Sequence, residues 1–266
     1  MKVPEKVDLA RALQVCTGAA EACTETIRDA LGRPGTVRVK EGPADLVTDV
    51  DRAAERMIVD RLSGAYPTFS VLSEETATVS KDPEWTWIID PIDGTNNFVH
   101  GIPHVSVSVA LAYRGSPVVG CIHDPLRGET YTAIVGDGAQ RNGVAIHVSS
   151  TTSLAGAVVV VGFSKMKRRA LRMMEGARAL IDGSAVLRTT GSACLDLAFL
   201  ACGRIDAMWY GGLSMWDVAA GMLLVSEAGG RVSSPSGEVL DDPEGGVAAA
   251  NAAVHEELLR AIGARP

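Results

Sequence analysis

Positive charge, cysteine, histidine and aromatic residues are all scarce in this 266-residue chain, and long apolar runs are missing. Lysine and arginine total 25 against 32 acidic residues, and the resulting net charge of −7 argues against a general attraction to nucleic-acid phosphates or anionic membranes. The expectation is therefore a small ligand, with no nucleic-acid and no membrane partner. Nowhere do about 18 uninterrupted apolar residues occur, the length a membrane helix requires. The opening MKVPEKVDLARALQ is broken by charges and carries no apolar core of signal-peptide length, so a cytoplasmic location is expected. The five cysteines, Cys16, Cys23, Cys121, Cys194 and Cys202, form no CxxC pair and lie mostly inside apolar patterns, so they read as reduced, buried thiols. The five histidines show no HExxH spacing, which leaves a zinc site without its usual ligand pattern.

What is present is apolar residue in quantity, 47% of the chain, enough for a substantial core. Leu9, Leu13, Cys16, Ala20, Cys23 and Ile27 recur at steps of three and four, which predicts one amphipathic helix from about Asp8 to Leu31. A second is expected from about Asp51 to Ser63. Short strands follow near 69–72, 85–89, 105–113, 118–122, 130–135 and 144–148, the later ones separated by the Asp137-Gly138 and Asn142-Gly143 turns. After about Thr151 the order becomes strand AVVVVGF, helix Lys167 to Ile181, strand VLRTT, helix Ala193 to Ala201, strand IDAMWY, helix Trp216 to Glu227, strand GVAAAN and helix AVHEELLRAIG. That alternation is an α/β pattern. No linker divides the chain, so two closely packed halves, residues 1–150 and 151–266, are expected.

The stretch WIIDPIDGTNNF, Trp87 to Phe98, sets Asp90 and Asp93 where an apolar strand breaks into a turn, a place where side chains can converge on a cleft. Glu74 and Glu75 follow another strand. Asp217 falls in the first turn of a helix, and Asp49 and Asp51 begin one. Singly, each has a structural explanation: helix capping for the aspartates, turn chemistry for Asp93-Gly94, a solvated surface for the glutamates. Several carboxylates sharing one cleft, however, would repel unless protons or a cation intervened, and an all-oxygen set suits Mg²⁺.

Asp90-Pro91-Ile92-Asp93-Gly94-Thr95, followed by Asn97-Phe98, resembles the first signature of the inositol monophosphatase family. Trp216-Asp217-Val218-Ala219-Ala220-Gly221, running on to Glu227-Ala228-Gly229-Gly230, is similar to its second. Ser73-Glu74-Glu75, Asp45-Leu46-Val47-Thr48 before Asp51, and Lys40 match in order and spacing, so the resemblance covers roughly Leu9 to Leu259. It implies an αβαβα layered sandwich, a homodimer, lithium sensitivity and a Mg²⁺-dependent phosphomonoesterase that uses two or three ions. By the same resemblance Glu74, Asp90 and the carbonyl of Ile92 hold one Mg²⁺, Asp90, Asp93 and Asp217 hold a second, and a third, weaker site lies near Glu74. Paired ions of this kind activate an attacking water and stabilise the leaving alkoxide. Thr95 oriented by Asp51, together with Glu74, forms the implied catalytic set, and the N–H groups of Gly94 and Thr95 receive the phosphate. Lys40, Ser192 and Tyr210 are assigned to the substrate. Where the family places an acidic residue against substrate hydroxyls, seven positions before the second-signature aspartate, this chain has Tyr210, which lacks a carboxylate's charge and bidentate capacity. A phosphorylated cyclitol or sugar alcohol leads as substrate, with histidinol phosphate and 3′-phosphoadenosine 5′-phosphate as alternatives. A regulatory binding protein on the same fold is the alternative of a different class.

Two other phosphatase patterns are weaker. IDGT is similar to a haloacid-dehalogenase motif, but the nucleophile position two residues before Asp93 is Pro91, which can form no aspartyl phosphate. Cys121 to Arg127 has Cys-x5-Arg spacing without glycines to wrap a phosphate, and reads as a strand ending in a turn. The basic run Lys165, Lys167, Arg168 and Arg169 is either a solvated helix start or a clamp for a further substrate anion. His100 and His104 read as structural or rim residues, and Trp85 and Trp87 as core.

Overall fold

The computed structural model describes residues 7–40, 46–76, 80–82 and 84–263. Where one long helix is expected, two form: α1 (Leu9–Glu21) and α2 (Thr24–Ala30). The break follows from Thr24, whose hydroxyl donates to the Glu21 carbonyl at 2.7 Å and so competes with the helical ladder, an option the heptad-like apolar spacing does not register. The chain continues through β1 (Val37–Val39), β2 (Leu46–Thr48), α3 (Asp49–Ala65), β3 (Ser70–Ser73), β4 (Trp85–Asp93), α4 (Thr95–Val99), β5 (Ser106–Tyr113), β6 (Ser116–Asp124), β7 (Glu129–Ile134), β8 (Ala139–Arg141) and β9 (Val144–Ala145). Then come β10 (Val158–Gly162), α5 (Lys167–Asp182), β11 (Val186–Arg188), α6 (Ala193–Ala201), β12 (Ala207–Tyr210), α7 (Met215–Glu227), β13 (Gly230–Ser233), β14 (Val247–Asn251) and α8 (His255–Gly263).

A seven-stranded sheet runs in the order β3-β4-β5-β6-β7-β8-β9, parallel only between β3 and β4, and a five-stranded sheet in the order β11-β10-β12-β14-β13, parallel where β10 meets β11 and β12. α1 and α3 cover the outer face of the larger sheet, α6 and α7 fill the space between the sheets, and α5 and α8 lie outside the smaller one. The layering is αβαβα, as expected. β5 shows why it holds: its eight residues are all buried, with Val107, Val109 and Leu111 packed towards α1 and α3, and Ala110 and Ala112 towards α7. Side chains alternate across a strand, so bulky residues fill one face while alanines let a helix approach the other.

Trp85 stacks on Phe69 and Trp87 packs at an angle against Tyr66 and Phe69 in the outer core, consistent with their reading as core residues. The strand expected at 144–148 stops at Ala145, because the Val148 N–H bonds the Ala228 carbonyl instead of a neighbouring strand. Gly229, with φ +88°, turns the chain out of α7, and Gly230 already belongs to β13. Among the described residues no helix is long and apolar enough to cross a membrane.

Candidate active site

Residues three apart on a regular strand face opposite sides of its sheet. β4 departs from that rule, because Asp90 pairs with Ser108 and Asp93 with Ser106, three steps on one strand against two on the other. The extra residue is a bulge at Pro91-Ile92, where proline has no N–H to give the ladder and the Ile92 N–H turns back to Asp90 Oδ1 at 3.1 Å. Both carboxylates thereby reach one side, and their oxygens lie within 4.8 Å of each other and of Cys194 Sγ. Gly94 follows with φ +92°, and a Cβ there would sit 3.0 Å from the His104 carbonyl and 3.2 Å from that of Gly191, so only glycine fits this turn into α4.

The remaining acids arrive on helix starts. Asp217 closes a capping box on α7, its Oδ2 accepting from the Ser214 N–H at 2.6 Å. Asp51 does the same on α3 with Thr48, and its other oxygen lies 3.2 Å from the Thr95 hydroxyl. That hydroxyl is also 3.1 Å from the carbonyl of Ile92. Glu74 leaves β3 with its N–H on the Ile89 carbonyl, and the Lys40 ammonium bridges Glu74, at 2.9 Å, and Glu75. Asp45, from the matched segment before Asp51, lies outside the described residues.

These carboxyls disturb one another. Burial, then the charges of Glu74, Asp93, Asp217 and Asp51, hold Asp90 well above the ordinary carboxylate range. Asp217 is pushed up to about 8 by burial and by Asp93, against the pull of the Ser214 N–H and the Lys165 charge. Asp93 rises to about 6 through burial, although Ser192 and the Cys194 N–H stabilise its ionised form. Glu75 is raised to about 7 by burial, despite Lys40. Burial also raises Asp51, opposed by the Thr48 hydrogen bonds. For Lys40 burial works the other way, but the two glutamates outweigh it and hold the ammonium protonated. Asp90, Asp93 and Asp217, on two elements, are thus raised by burial, and Asp90 and Asp217 by like charge as well, a repulsion a hard cation would relieve. The donor set fits Mg²⁺.

A sequence model of the inositol monophosphatase family matches residues 8–265. The chain belongs to the inositol monophosphatase family. A protein of Pseudomonas aeruginosa named Nus factor SuhB is 41% identical, over 94% of this chain and 95% of its own. The extragenic suppressor protein suhB of Bartonella henselae superposes with a TM-score of 0.91 at 34% identity, covering 96% of this chain and all of the other. An inositol monophosphatase from Anabaena (Nostoc) sp. PCC 7120 does so with a TM-score of 0.87 at 35% identity, covering 98% of each chain.

The expected substrate residues of this family member each have an internal partner. Ser192 Oγ donates to Asp93 Oδ2, Lys40 binds the two glutamates, and Tyr210, 7% exposed, donates its hydroxyl to Asp196 Oδ2 at 2.6 Å. The Tyr210 ring lies flat across β10: a Cβ on Gly162, its register partner, would fall 2.0 Å from Cε1 of the ring. Of the basic run, Lys165 acts electrostatically on Asp217, Arg169 bonds the Glu244 carbonyl, and Lys167 and Arg168 are exposed. Cys121 is fully buried in β6, and Arg127 holds Asp124 at 2.7 Å, so the two form no phosphate loop. His100 bonds the Asn96 carbonyl, whereas His104 reaches Asp196.

Sequence reasoning passed over two residues. Asp196 is the single charge in the apolar helix ACLDLAFLA, a signal that was available, since a lone buried acid requires partners. Cys194 Sγ sits beside Asp90 and Asp93 with its thiol directed at the Asp217 carbonyl, 3.1 Å away. Its neighbourhood on an apolar helix gives no hint of that placement.

Proposed function

We propose that this chain is a Mg²⁺-dependent phosphomonoesterase acting on a small phosphorylated alcohol. One observation carries the reading: the oxygens of Asp90 and Asp93 lie within 4.8 Å of each other, the charge of Asp217 bears on both, and the nearby Thr95 hydroxyl is directed at a buried carboxylate, Asp51. Glu74, Asp90, Asp93, Asp217 and the carbonyl of Ile92 would hold the metal, which when bound supplies charge for the phosphoryl oxygens and lowers the pKa of a water.

The chain's own groups do the rest. Thr95 donates its proton towards Asp51, which leaves its oxygen free to accept from the attacking water and so to aim it. Thr95 is the first residue of α4, and its N–H has no acceptor within the helix. With the Gly94 N–H it is placed to receive phosphate oxygens, and both residues are partly exposed. Kinship extends the reading to two or three Mg²⁺ ions, lithium inhibition, a cytoplasmic homodimer, and Lys40, Ser192 and Tyr210 around the substrate. The Lys40 and Ser192 contacts to acids would rearrange when a cation neutralises those acids.

A phosphorylated cyclitol or sugar alcohol is the favoured substrate, before histidinol phosphate and 3′-phosphoadenosine 5′-phosphate. The test is phosphate release from these four classes in Mg²⁺, with and without a chelator. Chelator-sensitive release from at least one supports the reading, and no release from any overturns it. The name Nus factor carried by the Pseudomonas relative favours a second reading, a Nus-factor role that does not depend on catalysis. Rescue of a Pseudomonas strain lacking that relative, by a folded but inactive Asp217→Asn variant, would support it.

A further inference from the structure

Asp196 is fully buried on α6 and accepts three hydrogen bonds from three separate segments. Its Oδ1 faces His104 Nε2 at 3.3 Å, and its Oδ2 takes the hydroxyls of Tyr210, at 2.6 Å, and Thr190. His104 and Thr190 lead to backbone that packs on the candidate active site, and the Tyr210 hydroxyl lies near enough to feel the charge of Asp93. The carbonyl of His104 packs on Gly94 and accepts from the Asn97 side chain at 2.8 Å. The same Asn97 amide bonds the Thr190 carbonyl at 2.8 Å, and the next residue, Gly191, packs its own carbonyl against Gly94. Ser192 and the Cys194 N–H then bind Asp93. One short segment, 190–196, is therefore gripped at one end by Asp196 and in its middle by Asp93, and it walls the Gly94-Thr95 turn.

We propose that Asp196 is a positioning residue that fixes the Thr190–Ser192 turn and the Tyr210 ring as the wall meeting the alcohol half of the substrate. This rests on the hydrolase reading above, and it assigns recognition to a different group from the one the sequence suggests. The Tyr210 hydroxyl points inward to Asp196, so Tyr210 offers the substrate its ring and not a hydrogen-bonding tip. Neither Tyr210 nor Asp196 presents a free carboxylate to a substrate hydroxyl. Asp196 contributes by holding shape, because an acceptor-only carboxylate matches three donors, whereas an asparagine amide would set an N–H against at least one of them.

Binding to the full chain by calorimetry, with Ca²⁺ replacing Mg²⁺, tests this without requiring turnover, using two probes: inositol 1-phosphate and inorganic phosphate. Asp196→Asn should weaken inositol 1-phosphate roughly tenfold, and Tyr210→Phe several-fold, less than a direct hydrogen bond to a charged group is worth because the lost bonds reach the substrate only through the wall they hold. Inorganic phosphate, which does not meet the wall, should change by less than about twofold. With Mg²⁺ the same variants should raise KM while kcat stays within about threefold. If Asp196→Asn does not fold, Tyr210→Phe and Thr190→Val carry the test. Equal losses for both probes, or no loss for inositol 1-phosphate in folded variants, would overturn the positioning role. The wild type reports separately on the hydrolase: binding of inositol 1-phosphate without release of phosphate from any substrate in Mg²⁺ sinks that reading alone, and failure to bind either probe sinks both.

Discussion

Asp90 and Asp196 are both buried, both close to the same cleft, and kept in opposite company. Asp196 has hydroxyls of Thr190 and Tyr210 and the His104 ring around it, so its site is complete within the chain. Among the described residues Asp90 accepts from the Ile92 N–H and faces four acidic neighbours, Glu74, Asp93, Asp217 and Asp51. The first kind of acid builds the protein, and the second kind is held ready for something from outside. Burial alone does not tell them apart; the count of donors against like charges does.

The largest effect that could break this division is on turnover. If the proposed ligands hold a cation, Asp217→Asn or Asp93→Asn removes one of its charges at nearly constant shape and should lower phosphate release by roughly two to three orders of magnitude, with the circular dichroism spectrum unchanged. Normal turnover in both variants would place Asp217 and Asp93 with Asp196 among the architectural acids.

Stability should separate the two kinds in the opposite sense. The raised Asp217 pKa means that the metal-free folded state binds a proton the unfolded state has released. Its favourable contribution is complete below the ordinary carboxylate pKa and is lost as pH rises through about 8. Metal-free Asp217→Asn should therefore gain on the wild type between pH 5 and 8, by up to about 1.4 kcal/mol per pH unit, and level off above. Asp196→Asn should instead lose about 1–3 kcal/mol, since donors are left facing an amide. Urea unfolding of both variants across that pH range gives the answer, and parallel behaviour would dissolve the distinction.

The α/β order of elements was legible because apolar runs record burial, as in β5 and α6, whereas the αβαβα layering was implied by the family resemblance. The two signatures carried the family, yet the side chains that bring Asp90 and Asp93 to one face depend on a bulge at Pro91-Ile92, which no strand period describes. The α1–α2 break came from one threonine hydroxyl, a local competition that spacing does not see. Asp196 was visible as a charge in an apolar helix, but its partners His104, Thr190 and Tyr210 lie 92, 6 and 14 residues away, and only tertiary folding joins them.

The smallest expected effect is at Cys121. Buried in the middle of β6 and far in role from either set of acids, Cys121→Ser should leave kcat/KM within about twofold, at a modest stability cost for a hydroxyl in an apolar site. A folded Cys121→Ser protein without activity would revive a thiol nucleophile.

The central claim, that one set of buried acids awaits a cation, is tested most directly by titrating Mg²⁺ into the metal-free protein at pH 7 by calorimetry in two buffers of different ionisation enthalpy. Binding should be accompanied by proton release, because Asp217, raised to about 8, and Asp90 must give up protons to the buffer. Affinity should weaken as pH falls from 8 towards 6, and Asp217→Asn should weaken it further. Absence of binding, or binding with no proton release and the same affinity in Asp217→Asn, would contradict the account.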